Sequence, residues 1–362
     1  MKFNVNPIIA FIKLIRLPNL LIIALAQYAI RYGIFYPIIY NFSGGQDISG
    51  VGLQMSNLDF FLLSLSTVMI AAAGYIINDY FDVKIDRVNR SESIIVGKHI
   101  KRRVAMGAHI VINGFAILIG AYLAYKMGNW KLIFIQIVSA GALWYYSTTF
   151  KRQVIVGNVV VALLAALVPF VAGLYELILQ HLMVDDTVNM LLFRLEKFTP
   201  FEDVEYAVVE TLNNILLWVS GFAVFAFIST MVREIVKDIE DADGDEQYDS
   251  NTLPVVYGKS VAKMVAQAIA LIMFGLIGYY QYMQVQDNAG GESQEAGRAQ
   301  TRALITVMYF LFTVQLPLAY VIFQIYTAKV KEDYHKISTV LKLIMLAGIS
   351  YAALFYFLII KV

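Results

Sequence analysis

Apolar residues fall along the chain in long unbroken runs, separated by short polar segments. Each run is roughly 20 residues, the length a helix needs to cross a bilayer core. The pattern predicts crossings near residues 19–39, 58–78, 104–126, 131–147, 154–180, 215–233, 261–285, 303–327 and 338–361. A tight turn at Gly128-Asn129 joins the third and fourth. The expected class is therefore an all-α polytopic membrane protein with nine transmembrane helices, forming one domain over residues 1–362. Two polar stretches interrupt the pattern. Residues 181–213 read as a long acidic loop with room for a short surface helix. Residues 286–302, rich in Gly, Gln and Glu, read as a flexible loop.

Composition supports this reading. Of the 362 residues, 59% are hydrophobic, against about 45–50% in soluble domains. The net charge of +1 points to no nucleic-acid partner. The absence of cysteine excludes disulfides and thiolate metal sites. Lys13 and Arg16 precede an apolar run that continues to Ile39. That is too long for the apolar core of a signal peptide, so the run is expected to be a retained helix. The basic residues then set the orientation. With the N-terminus in the cytoplasm, 20 of the 28 Lys and Arg residues fall in cytoplasmic segments, while Arg31, Lys126 and a few others stay outside. The C-terminus is expected outside.

Two acidic runs carry the chemistry. Asn78-Asp79-Tyr80-Phe81-Asp82 runs on to Asp86 after the second crossing, and Asp238 through Asp245 follows the sixth. Asp79, Asp82 and Asp86 share the spacing D-x-x-D-x-x-x-D with Asp238, Asp241 and Asp245, at a constant offset of 159 residues. The match continues at an offset of 161, where Gly97-Lys98 and Val104-Ala105 echo Gly258-Lys259 and Val265-Ala266. This predicts a duplicated four-helix unit, with repeat halves at about 10–152 and 154–330 and a ninth helix at about 338–361. Such repeats in membrane proteins often hold their site between the halves. On a helix, positions i, i+3 and i+7 lie within roughly a 60° arc. Three carboxylates on one stripe repel one another and are costly near lipid. Hard divalent cations relieve that cost, and Mg²⁺ commonly bridges one or two carboxylates to phosphate oxygens. The competing view of each run is a solvated loop of mixed charge; two runs with the same spacing at equivalent helix ends weigh against it.

At these residues the chain resembles the UbiA superfamily of intramembrane prenyltransferases. Asn78 through Asp86 and Asp238 through Asp245 look like its two Asp-rich motifs. Arg16-Leu17-Pro18-Asn19 resembles its N-terminal region, and Tyr146 through Arg152, followed by Gly157-Asn158, its stretch after the fourth helix. Arg-Pro often follows the first motif in the family, whereas Arg90 is followed here by Ser91. Arg233 through Asp245, with Thr252-Leu253-Pro254, looks most like the geranylgeranylglyceryl phosphate geranylgeranyltransferase branch. Chlorophyll synthases share part of that string, and the two polar insertions are not expected of the branch.

The resemblance implies Mg²⁺-dependent transfer of a prenyl group from a polyprenyl diphosphate, such as geranylgeranyl diphosphate, to a lipophilic acceptor. It makes the six aspartates the metal ligands. Arg16, Lys151 and Arg152 are candidates for phosphate contact, with Lys84, Arg90, Arg233 and Lys237 behind them. For each, the alternative is an ordinary cytoplasmic charge. Asn78 reads as a neutral oxygen ligand or a helix C-terminal residue. Tyr146 reads as a phosphate-orienting or interfacial residue. Rival readings are an aromatic-acceptor prenyltransferase, a divalent-cation transporter and a catalytically dead relative. A transporter would place its carboxylates near the midplane of broken helices, and these lie at helix ends.

Overall fold

A computed structural model describes residues 6–46, 50–89, 94–195, 200–248, 250–287 and 294–361. Arg90 lies outside the described residues, as do 196–199 and 288–293 of the two polar stretches.

Among the described residues the chain is helical throughout and forms no β-sheet. Helices α1 (Pro7–Leu14) and α2 (Leu17–Tyr28) lead into a π-helical segment, Ala29–Phe35, and then α3 (Tyr36–Phe42). Helices α4 (Asn57–Asn89) and α5 (Arg102–Lys126) follow. A 3₁₀ turn at Trp130–Leu132 opens α6 (Ile133–Thr148), and a second at Phe150–Arg152 precedes α7 (Val156–Leu182). The chain continues through α8 (Val184–Leu195), α9 (Phe201–Gln247), α10 (Leu253–Tyr257), α11 (Lys259–Asp287) and α12 (Gln294–Phe310). A π-helical segment at Leu311–Gln315 joins α12 to α13 (Leu316–Thr327), and α14 (Lys331–Lys361) ends the chain.

Eight of these helical stretches are long and apolar enough to cross a membrane. The expected fourth crossing is the shortfall. Helix α6 has 16 residues, about 24 Å at 1.5 Å per residue, less than a hydrocarbon core of about 30 Å. Two helices overrun a bilayer instead. Helix α4 has 33 residues and α9 has 47, so both acidic runs lie on continuous helix and not in loops. The stretch expected as an acidic loop is likewise mostly helix, α8 and the start of α9, and the expected flexible loop is helical from Gln294.

The chain forms two compact units. The first comprises Met1–Leu25, Asn57–Leu164 and Lys237–Ala262. Its core brings Ala10 and Leu14 of α1 together with Ile76 of α4, Val96 and Ile100, and Ala105 of α5. Outward-facing positions on α5 are apolar, as lipid contact requires: Ile110, Phe115 and Leu118 are exposed.

The second unit comprises Ala26–Ser56, Ala165–Val236 and Lys263–Val362. An aromatic cluster packs inside it, with Trp218 4.5 Å from Phe355 and Phe310 4.6 Å from Tyr351 between ring centroids. Arg31, expected as an outer flanking charge, is instead buried here. It sits in the π-helical segment at 2% exposure and pairs with Glu176 of α7, at 1% exposure, over 3.2 Å. Arg31 also donates to the Met55 carbonyl. Glu176 accepts from the Gln54 and Met55 backbone N–H groups and from Gln180. An ion pair at this depth survives because its charges are matched and its lone pairs are filled.

Removing one member of such a pair strands the other. Glu176→Leu should therefore cost about 3–5 kcal/mol and lower the apparent melting temperature in detergent. The Arg31→Met/Glu176→Leu double variant should regain part of the loss. A double variant no more stable than Glu176→Leu would show that the pair is not coupled.

Candidate functional site

The first unit gathers nearly all the residues singled out in the sequence. On α4, Asp79, Asp82 and Asp86 form one stripe, as their spacing requires, because the helix runs unbroken to Asn89. Asn78 lies well inside α4, so it is not a C-terminal residue; its Nδ2 donates to Asp82 Oδ2 at 2.8 Å.

Cations come to this stripe from two other elements. Arg16 sits between α1 and α2 with φ of 53°, a left-handed conformation that turns the chain sharply. Its Nη2 donates to Asp79 Oδ1 at 2.9 Å, and its guanidinium lies 4.8 Å from the Tyr75 ring centroid. Lys151, on the 3₁₀ turn after α6, pairs with Asp82 Oδ1. Asp86 has no direct partner among the described residues but lies in the field of Asp82, Asp79, Lys151 and Arg16.

The second stripe is carried by the end of α9. Asp238 accepts from Asn158 Nδ2 at 2.7 Å. Asp245 receives the Thr252 hydroxyl at 3.4 Å, a long bond that leaves acceptor capacity free. Asp245 also lies within electrostatic reach of Asp241, Lys151 and Asp82. Both stripes therefore act on the same ammonium group. The chain fixes that group in two ways. The Asn251 N–H donates to the Arg152 carbonyl at 3.0 Å, tying the exit of α9 to the lysine's turn. Gly157, at the start of α7, has no room for a side chain: a Cβ there would stand 2.8 Å from Lys151 Cα and 2.9 Å from the Phe150 carbonyl oxygen.

The other candidates differ in exposure and place. Arg152 and Lys84 are exposed, while Tyr146 and Lys237 are half-buried. Arg233 belongs to the second unit, where it pairs with its neighbour Glu234 at 2.8 Å. Asn158 and Thr252 were seen in the sequence only as parts of longer strings, and the structure makes them direct partners of the second stripe. An amide in the first turn, directly ahead of a long apolar run, was the available signal for Asn158.

The donor set is entirely hard oxygen, the set that suits Mg²⁺. Among the described residues no three His, Asp or Glu side chains converge on a single point. An ion here would draw one or two carboxylates from the protein and fill its shell with water or phosphate oxygens, as Mg²⁺ usually does.

Comparison with known proteins identifies the family and the fold. A profile of the UbiA prenyltransferase family matches residues 49–286. The chain is similar to the digeranylgeranylglyceryl phosphate synthase of Methanothermobacter thermautotrophicus, 32% identical over 225 residues, which cover 61% of this chain and 65% of that one. It thus spans just under two thirds of that relative's length. The protein of the same name from Methanosphaera stadtmanae is 26% identical over 303 residues, covering 82% and 88%. Among solved structures, a UbiA homologue from Archaeoglobus fulgidus bound to DMAPP and Mg²⁺ matches with a TM-score of 0.54 at 17% identity, over 97% of this chain and 99% of that one. A UbiA homologue from Aeropyrum pernix K1 gives 0.54 at 14% identity, over 96% and 98%. At such identities the two structures speak for the fold alone.

The close approach at Gly157 should be intolerant of a methyl group. Gly157→Ala should lower stability by about 1–3 kcal/mol through overpacking. Gly141→Ala, at a position with nothing within 4 Å, should leave it unchanged. Equal melting temperatures for the two variants would contradict the role given to Gly157.

Proposed function

Because the chain belongs to the UbiA prenyltransferase family, we propose that it transfers a prenyl group from a polyprenyl diphosphate to a lipophilic acceptor, with Mg²⁺ held by the two aspartate stripes. The observation that carries this reading is Lys151, paired with Asp82 and within reach of Asp245. It joins two acidic triplets at one locus, which a diphosphate with its counter-ions requires. The donor would be geranylgeranyl diphosphate and the acceptor a geranylgeranylglyceryl phosphate. The names of the relatives from Methanothermobacter and Methanosphaera support that acceptor, as does the string from Arg233 to Pro254.

Each group has a definite task. Asp79, Asp82 and Asp86 on one stripe, with Asp238, Asp241 and Asp245 on the other, supply the oxygens for the metal. When bound, Mg²⁺ neutralises charge that accumulates on the diphosphate as the carbon–oxygen bond breaks. Arg16 and Lys151 add fixed positive charge beside the leaving group, with Arg152 and Lys237 further out. Asn78 and Asn158 orient Asp82 and Asp238. Tyr146 lies on the same helix end as Lys151 and would face the phosphate. In this reading α6, preceded by its 3₁₀ turn, supplies the fourth of nine crossings. The two acidic helix ends arise from one duplicated four-helix unit, and the chain forms a single transmembrane domain.

The protein is an integral membrane protein, and we assign the aspartate stripes and the N-terminus to the cytoplasmic side. The bias of Lys and Arg toward those segments supports this orientation. Reporter fusions after residues 95 and 245 should read cytoplasmic and one after residue 195 external; the reverse pattern would rule the orientation out.

Purified protein given labelled geranylgeranyl diphosphate should prenylate a glycerol phosphate lipid, stop on chelation and resume with Mg²⁺. Asp79→Asn and Asp238→Asn keep side-chain size and should each lower turnover by roughly a hundredfold or more. The double variant should lose little further, because the ligands act as a unit. Transfer to hydroxybenzoate or a naphthoate but not to the glycerol phosphate would overturn the acceptor assignment. Wild-type turnover in the double variant, or indifference to chelator, would overturn the two-stripe mechanism.

A further inference from the structure

The segment between α4 and α5 places four cations within six positions: Lys98, Lys101, Arg102 and Arg103. From Ile94 through His109 it contains no acidic residue. Its backbone is firmly held. Val96 and Ile100 are buried in the core of the first unit and pair as an isolated bridge. The Gly97 N–H donates to the Ile100 carbonyl at 2.7 Å, and the His99 N–H to that of Ile95 at 2.9 Å. Gly97 has φ of 86°, a left-handed turn that glycine adopts without strain. With Val96 and Ile100 fixed inward, Lys98, Lys101, Arg102 and Arg103 are all exposed. Among the described residues none of the four is paired with a carboxylate. Arg102 is braced, with its guanidinium 4.3 Å from the Tyr80 ring centroid.

An apolar stripe starts where the cations end. Val104, Val111, Leu118 and Tyr125 recur every seven residues, which on a helix sets them nearly in line, and all four are exposed. They lie on α5, whose length and hydropathy suit a membrane span. A cationic rim above a lipid-facing stripe matches a molecule with an anionic head and apolar tails. Basic residues packed at the end of a membrane helix attract anionic lipid in this way.

We propose that this end of α5 is a docking site for an anionic phospholipid. Lys98, Lys101 and Arg103 hold the headgroup phosphate, and the acyl chains lie along Val104 and Val111. Ordinary topology-setting charge would produce a diffuse preference shared by every basic segment. A built site concentrates the preference at one segment.

The full-length protein in phosphatidylcholine nanodiscs tests this, with spin-labelled phosphatidylglycerol and spin-labelled phosphatidylcholine as probes. Wild type should favour the phosphatidylglycerol label by about threefold or more, and high salt should weaken the preference. Lys98→Gln/Lys101→Gln/Arg103→Gln should bring the ratio close to one. Lys329→Gln/Lys336→Gln, which removes two exposed cations from another segment, should leave it at the wild-type value. The single variant Lys98→Glu, on the exposed turn, should give an intermediate ratio even if the triple variant folds poorly. The proposal is overturned if wild type shows no preference, if Lys98→Glu or the triple variant retains the full preference, or if the control pair lowers it equally. No turnover is measured, so the outcome is separate from that of the prenyl-transfer assay.

Discussion

Negative charge crowded onto one face of a membrane helix must be balanced. Three carboxylates within a 60° arc repel each other, and the low dielectric near lipid magnifies the repulsion. The first unit answers with two cations for the α4 stripe, Arg16 and Lys151, drawn from elements far away in sequence, and with the amide of Asn78 on α4 itself. Lys151 reaches Asp82 only because the 3₁₀ turn Phe150–Arg152 is held against the start of α7. That contact exists only because residue 157 has no side chain. Arg16 reaches Asp79 from a left-handed turn between two short helices. The local backbone of two connections, the α1–α2 turn and the α6–α7 turn, thus serves to deliver opposite charge to one stripe.

Features governed by local periodicity could be read before the structure was known. The stripes formed by Asp79, Asp82 and Asp86, and by Asp238, Asp241 and Asp245, depend only on helix pitch and on helix continuing through them. Eight of the nine expected crossing positions coincide with helices long and apolar enough to span, since 18 or more apolar residues have few other uses. Length was less legible. Nothing in the apolar pattern says that α9 begins at Phe201, because its first turns are amphipathic and pack by one face: Val204, Val208 and Leu212 are buried while Tyr206 is exposed. Partners across the fold were the least legible. That Asn158 meets Asp238, 80 positions away, depends on tertiary approach, and that Thr252 meets Asp245 depends on how the chain turns back after α9. Arg31 was misplaced for a related reason. A lone arginine in an apolar run resembles a flanking charge until its acidic partner, 145 positions later, is found beside it.

Shared architecture and reactive chemistry depend on different features of the chain. Distant structures share the helical arrangement at low sequence identity, as expected when a fold depends mainly on helix length and apolar faces. The chemistry depends on a handful of polar atoms, and those must be read from this chain's own residues. Composition around the site is consistent with that division. Phe81 meets Trp144 edge to face at 6.0 Å, and Trp144 in turn lies 5.4 Å from the buried His109. These rings and the imidazole, which bonds the Ala73 carbonyl at 2.9 Å, brace α4, α5 and α6 behind the acidic stripe without offering it another ligand.

Glu176 and the aspartates of the first unit differ in one respect. Glu176 receives Arg31, the Gln54 and Met55 N–H groups and Gln180, so its acceptor capacity is used. A ligand could enter only by breaking bonds already made in an environment where replacing them is costly. The aspartates are filled unevenly. Asp82 is engaged on both oxygens, by Lys151 and Asn78. Asp86 has no direct partner among the described residues, and Asp245 has one long hydrogen bond. The unfilled acceptors of Asp86 and Asp245 lie in the field of Lys151, and the proposed metal–diphosphate site depends on this pairing of spare oxygens with fixed positive charge. Saturation makes the Arg31–Glu176 pair a fixed strut. Incomplete saturation leaves the aspartate stripes of the first unit with acceptor oxygens that the proposed ligand could use without breaking existing bonds.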